Sequence, residues 1–378
     1  MMDTLLYIDM LNIESTSGRE RALADFLAEK FCTGKNRVEC FDVDSMSPDV
    51  PEGCSVPQNL LFSWGVPKVI FCTHLDTVPP YIPPQVEDDR ISGRGTCDAK
   101  GQIFAMWEAC KALEDKGYDG FGLLLLAGEE TGSFGAKAFD MSTTASVMSS
   151  EVETSDLWLI VGEPTDNCMA TAAKGTKSFE VTFAGKAFHS GYPEYGQSAI
   201  EMFNDFMNAL RSIRFPYDDI LGETTYNIGK LHSDNPQNIL SPSLTCRVYF
   251  RTTFESDEIV CNVMKNIAGQ DARLRFGRPR AQDGSDIVAK EVAPWQAAMS
   301  VNAFGGDSPT RFETFEGFDS KPVSFGSDAP QLHGFQHKIL CGPGSILVAH
   351  RPDEHISLFE IETAVSNYIK MAERILNR

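Results

Sequence analysis

The residues of this chain with the types needed for chemistry stand in five short clusters: His74-Leu-Asp76, Asp98, Glu129-Glu130, Glu163 and His350. Two imidazoles and at least three carboxylates make a mixed nitrogen and oxygen donor set, a combination that suits zinc. Each cluster alone is weak. A His-x-Asp triplet ordinarily lies on the surface or is satisfied within a core. A Glu-Glu pair is ordinarily solvated, and Gly162-Glu-Pro164 has the composition of a turn. Position joins them: His74, Glu129-Glu130 and Glu163 each follow an apolar run, and a carboxylate buried there needs a partner.

The elements that must hold these residues are legible from periodicity. Lys68 to Thr73, Phe121 to Ala127 and Asp156 to Val161 are short apolar strands, and Gly101 to Leu113 is a helix. Their alternation predicts an α/β fold, a mostly parallel sheet with helices on both faces. In such sheets ligands bind outside the carboxyl ends of the strands, which brings residues distant in sequence into one crevice. Asp98 lies in the Gly-rich segment Ser92 to Gly101, a loop able to push a carboxylate toward the same point. His350 follows the Gly342-Pro-Gly344 loop after an expected strand at Lys338–Cys341. Ser17-Gly-Arg-Glu20 fits a capping box ahead of a helix carrying Ala22, Leu23, Phe26, Leu27 and Phe31. Ser357 to Leu376 forms a closing helix.

Near Lys174 the pattern changes. Phe179, Val181 and Phe183 alternate as a half-buried strand, and Ala199, Ile200, Phe203, Met207 and Leu210 mark an amphipathic helix. Strands follow at Thr224–Leu231 and Ser243–Phe254, then a helix capped by Ser256 and running through Ile267, then a strand at Arg273–Phe276. The order β-α-β-β-α-β is that of a split βαβ sandwich. The expected organisation is therefore a discontinuous catalytic domain, residues 1–174 and 280–378, with an inserted smaller α+β domain at 175–279.

Composition narrows the partners. The chain has 378 residues, enough for two domains, and a formal net charge of −20. That charge argues against nucleic acid or an anionic membrane, both of which demand basic surface. No apolar run approaches the ~20 residues of a membrane span, and Met1-Met2-Asp3-Thr4 does not begin a signal peptide. The ten cysteines are scattered without a C-x-x-C pair. They are expected to be reduced, mostly buried, in a cytoplasmic protein.

Five blocks, Thr73-His-Leu-Asp-Thr77, Gly93-Arg-Gly-Thr-Cys-Asp-Ala-Lys-Gly101, Gly128-Glu-Glu-Thr-Gly132, Gly162-Glu-Pro164 and Ala349-His-Arg-Pro-Asp-Glu354, together resemble the dinuclear zinc amidohydrolases. That family includes acetylornithine deacetylase, succinyl-diaminopimelate desuccinylase, aminoacylase and glutamate carboxypeptidase. Cys341-Gly-Pro-Gly-Ser-Ile346 is most similar to the acetylornithine deacetylase branch. The resemblance implies two zinc ions, with cobalt a possible substitute: His74 and Glu163 on one, Glu130 and His350 on the other, Asp98 bridging. It implies that Asp76 fixes the His74 tautomer, and that Glu129 is the general base for a metal-bridging hydroxide.

The inserted domain would then be a lid that also forms a homodimer. Gly185-Lys-Ala-Phe-His-Ser-Gly-Tyr-Pro193 resembles the lid segment whose histidine, here His189, reaches across the dimer to the oxyanion. Asn238 matches an asparagine near the substrate. Arg251 would bind the substrate carboxylate, with Arg247 on the same face as its competitor. Phe325-Gly-Ser-Asp-Ala329 lacks the paired glycines of many relatives. Cys97 beside Asp98 is expected to be packing, and His232, His333, His337 and His355 match no ligand position. The activity implied is hydrolysis of an N-acyl amino acid, N-acetylornithine first, within arginine biosynthesis. A succinyl-diaminopimelate desuccinylase, a metallo-dipeptidase or carboxypeptidase, and a catalytically silent binding relative are the alternatives.

Overall fold

The computed structural model describes residues 2–44, 54–139, 156–267 and 299–378. The chain divides into two compact units. The first comprises Met1–Thr171, Arg311–Val323 and Ser327–Arg378, and the second Ala172–Thr310 and Ser324–Gly326.

The first unit is built on a six-stranded sheet. Its four central and edge strands Phe121–Leu126, Val69–His74, Trp158–Val161 and His337–Leu340 run parallel. Gln58–Trp64 and Arg37–Asp42 extend the other edge antiparallel. Phe121–Leu126 and Val69–His74 are buried at every position, which is what a strand covered on both faces requires. The helices Lys100–Asp115 and Leu358–Leu376 pack in the same core, where Phe71 meets Tyr368 edge to face at 5.6 Å and Phe31 stacks on Trp107 at 4.0 Å. Because the four strands are parallel, the residues following them emerge along one sheet edge.

Two helix starts exchange roles relative to the sequence reading. Ser17 and Glu20 do not form a capping box. The helix is Arg21–Lys30, its cap position is Glu20, and no side chain bonds to its first turn. Ser17 Oγ instead donates to Asp76 Oδ2 at 2.7 Å. The capping box lies at the closing helix, where Ser357 and Glu360 bond reciprocally. At Ser17 the hydroxyl is taken by Asp76, a tertiary neighbour.

The second unit is a four-stranded antiparallel sheet in the order Thr225–His232, Ser243–Thr252, Gly175–Ala184, Met299–Gly305. The helices Ala199–Ser212 and Asp257–Ile267 share its core with Phe183, Val248 and Phe250. The expected strand at Arg273–Phe276 lies outside the described residues. The fourth strand seen is Met299–Gly305, and it pairs with Gly175–Ala184. That pairing keeps the chain in the second unit until Thr310, so it returns to the first at Arg311 rather than near residue 280. Among the described residues, no helix is long and apolar enough to cross a membrane.

Candidate metal centre

His74 ends its strand and Glu163 follows Trp158–Val161 by two residues. Glu129 and Glu130 follow Phe121–Leu126 across the turn Ala127-Gly128. The parallel register thus delivers all four side chains to one edge of the sheet. Two groups of donor atoms result, each with its atoms within 4.8 Å of one another: His74, Asp98 and Glu163, and Asp98, Glu130 and His350. Asp98 belongs to both. His74 Nε2 lies 3.0 Å from Asp98 Oδ1, while His350 Nε2 lies 3.3 Å from Asp98 Oδ2 and 3.0 Å from Glu130 Oε1. His350 adopts the left-handed conformation, φ 64°, which costs a non-glycine residue about 1–2 kcal/mol.

The electrostatics fit divalent cations. Burial, reinforced by neighbouring carboxylates, pushes Glu163 well above the ordinary carboxylate range and raises Glu130, with the imidazoles opposing. Burial acts in the same direction on Asp98, but hydrogen bonds from His350 and His74 hold it low. Hydrogen bonds to Asp98 and Glu130 raise His350 to about 10, and despite burial the carboxylates around His74 raise it well above its ordinary value. The cluster therefore demands positive charge at two points. A proton on each ring answers part of that demand, and metal ions answer it with the ring nitrogens deprotonated.

Asp76 faces the ring nitrogen of His74 that is turned away from Asp98. His74 Nδ1 lies 2.9 Å from the Asp76 backbone carbonyl and 3.5 Å from its carboxylate. Both oxygens favour the proton on Nδ1, so Asp76 sets the ring tautomer with its carbonyl and its carboxylate together. The carboxylate accepts the amides of Glu129 at 3.0 Å and Glu130 at 3.2 Å and the hydroxyl of Ser17. Asp76 thus holds the backbone that presents Glu129 and Glu130. Burial, partly offset by the charge of His74, pushes half-buried Glu129 well up.

Two carboxylates went unassigned in the sequence. Glu20 is buried, 1% exposed, and neither oxygen makes a hydrogen bond of ordinary geometry. Burial and then the charge of Asp76 raise it to about 7, with nearby amides of Glu20, Gly18 and Gly128 lowering it in part. Glu354, fully buried, accepts three amides of the Asp98 turn. Its presence in the block after His350 was the only sequence signal. Cys97 is buried against Ser345, and burial raises its thiol well up, so it packs rather than reacts. His337 pairs with Glu313 and stacks on Trp158 at 4.4 Å, and His355 Nδ1 faces the Asp353 carbonyl. His232 and His333 are exposed. All ten cysteines are free.

In the second unit, His189 and Asn238 come together. His189 bridges Ile239, and Ser190 N–H donates to the Asn238 carbonyl at 2.9 Å. His189 is exposed, and its Nδ1 accepts the Gly191 amide at 3.0 Å. That bond places the ring proton on Nε2, which leaves an outward donor. The two arginines separate. Arg247 lies 3.9 Å from Glu180 Oε2 and 3.9 Å over the Phe304 ring. Arg251 stacks on Tyr249 at 5.0 Å, and among the described residues no carboxylate pairs with it. Gly326 lies beside the guanidinium, and a side-chain carbon there would meet Arg251 Nη1 at an ordinary contact distance of 3.7 Å.

Comparison with known proteins agrees with this geometry. Residues 70–374 match the family model described as peptidase family M20/M25/M40. A probable carboxypeptidase of Aspergillus fumigatus is 31% identical over 98% of this chain and 86% of its own length. The tripeptidase of Staphylococcus aureus shares the fold with a TM-score of 0.72 at 18% identity, over 98% of this chain and 97% of its own. The M20 family metallo-carboxypeptidase Sso-CP2 of Sulfolobus solfataricus does so at 0.70 and 15% identity, over the full length of both. The chain belongs to peptidase family M20/M25/M40 and is a metal-dependent hydrolase of amide bonds.

Proposed function

We propose that the chain hydrolyses the amide of an N-acylated amino acid, releasing an amino acid that carries a free carboxylate, with N-acetylornithine as the first substrate to try. One observation carries the reading. Two ligand groups share Asp98, and Glu129, which is not in either, adjoins the ligand Glu130 on a backbone held by Asp76. Two divalent ions, zinc by the donor set, would supply Lewis acidity and bring the pKa of a water to ~7. His74 and Glu163 would hold one, Glu130 and His350 the other, with Asp98 common to both.

Glu129 takes the proton of the attacking water on its carboxylate and delivers it to the departing amine. Burial raises the carboxyl above its ordinary range, which makes it the stronger base. Arg251, with no acidic partner among the described residues, recognises the substrate carboxylate, and Asn238 contacts the substrate from the segment it shares with His189. His189 Nε2–H donates to the developing oxyanion, supplied from a second copy of the chain in a homodimer.

A carboxypeptidase reading has its own support, since the Aspergillus relative is named a probable carboxypeptidase. A peptide cleaved at its last residue releases the same kind of leaving group. The test is amine release from N-acetyl-L-ornithine, N-succinyl-diaminopimelate and dipeptides, with zinc-reconstituted protein against a metal-stripped control. Turnover should need metal and fall when the substrate carboxylate is amidated. Glu129→Gln should keep both metals and lose about 10²–10⁴ in rate. A variant that loses metal as well would make Glu129 a ligand, and metal-loaded wild type inert on every substrate would sink the reading.

A further inference from the structure

Glu354 does something that its place in the sequence does not announce. The residue is 0% exposed, and Oε1 accepts three backbone amides of one turn, Gly95 at 3.0 Å, Cys97 at 3.0 Å and Asp98 at 3.1 Å. Oε2 takes Arg94 Nη1 at 2.5 Å, and Arg94 is itself 2% exposed. The Gly93 amide donates to the Glu354 backbone carbonyl at 2.9 Å. The next residues, His355 to Ser357, pair as a strand with Arg90 to Ser92. Four backbone amides of the turn 93–98 and the Arg94 guanidinium therefore end on this one residue.

The consequence concerns Asp98. An aspartate that must place Oδ1 beside His74 and Oδ2 beside His350 has to have its backbone held, because a rotation about its own φ and ψ would move both oxygens together. A single carboxylate oxygen accepting successive amides of a turn fixes those angles, and charge-assisted bonds of this kind are roughly twice as strong as neutral ones. Glu354 also lies four residues after His350 on the same loop. We propose that Glu354 is the positioning residue for the shared ligand Asp98, holding its turn in the two-metal geometry before any ion binds. This rests on the two-metal reading above.

Partners one shell out from a metal ligand typically govern 10–100-fold of metal affinity. The distinctive expectation is that both ions are affected, since Asp98 is in both ligand groups. Glu354→Gln keeps the shape, makes the acceptor neutral and turns an amide toward Arg94. The measurement is zinc affinity for each of the two sites, by competition with a chromophoric chelator, on the full-length protein well below the melting temperature of its metal-free form. Both affinities should fall by about 10–100-fold, whatever the change in metal-free melting temperature.

Unchanged affinities together with a lower melting temperature would make Glu354 a residue of the fold alone and overturn the proposal. Loss at one site only would mean that it acts through the His350 loop, and would overturn it too. Should Glu354→Gln not fold, Glu354→Asp retains the charge for Arg94 but withdraws the carboxylate from the turn, and the same two-site loss is expected. Failure of both to fold assigns Glu354 to stability and ends the idea. Wild-type protein that takes up fewer than two zinc ions would instead overturn the two-metal reading, independently of Glu354.

Discussion

Replacing Glu20 by Gln should make the metal-free protein progressively more stable relative to wild type as the pH rises. Glu20 is buried beside Asp76 without a hydrogen bond of ordinary geometry, and its carboxyl is raised from 4.5 to about 7. A raised acid is protonated in the folded state where the unfolded chain has already lost the proton. Folding stability is then fully present below pH 4.5 and declines as the pH rises through 7. At about 1.4 kcal/mol per pH unit of displacement, the wild type loses about 1 kcal/mol by pH 5, about 2 by pH 6 and about 3 by pH 8. Glutamine is a neutral isostere and does not titrate, so the variant escapes this decline. Any fixed cost of burying its amide shifts the whole curve without altering its slope. The assay is urea denaturation of both metal-free proteins from pH 4.5 to 8. The stability difference, variant minus wild type, should climb by about 3 kcal/mol across that range. A difference that stays flat would refute the reasoning, because it would mean that Glu20 ionises in the folded protein as easily as in the unfolded one.

Two other outcomes follow from the geometry. His189→Ala should leave zinc content unchanged and lower kcat by about two to three orders of magnitude, the scale of losing an oxyanion donor; unaltered turnover would remove His189 from the chemistry. The carboxylates hold His350 at about 10 and raise His74, so metal uptake must displace ring protons and zinc affinity should rise by about tenfold per pH unit between pH 6 and 8. Chelator competition corrected for the chelator's own protonation measures this, and an affinity independent of pH would show that the rings are already neutral.

The clustering of the candidate ligands was legible in the sequence for a definite physical reason. A parallel sheet sends the residues after its strands to one edge, so His74, Glu129-Glu130 and Glu163, each following an apolar run, were bound to meet there. The run from Phe121 to Leu126 is buried throughout, and local hydrophobicity is enough to mark such a strand. The inserted β-α-β-β-α-β unit was likewise marked by its alternation, as in Leu244, Cys246, Val248 and Phe250, all buried on one face.

What depended on hydrogen-bond partners far along the chain stayed hidden. Ser17 and Glu20 have the spacing of a capping box, yet Asp76, 59 residues away from Ser17, takes the hydroxyl, and no local pattern records that competition. The same holds for Asp76, whose carboxylate, besides facing His74, serves the backbone of Glu129 and Glu130. Arg247 and Arg251 are equivalent by alternation, and only the tertiary neighbours Glu180 and Phe304, both on Arg247, distinguish them. Sequence determines which residue types arrive at the edge of a sheet, because periodicity and strand direction are local. Which donor each carboxylate satisfies is decided by tertiary structure, because a buried oxygen takes the nearest well-aligned partner irrespective of its distance along the chain.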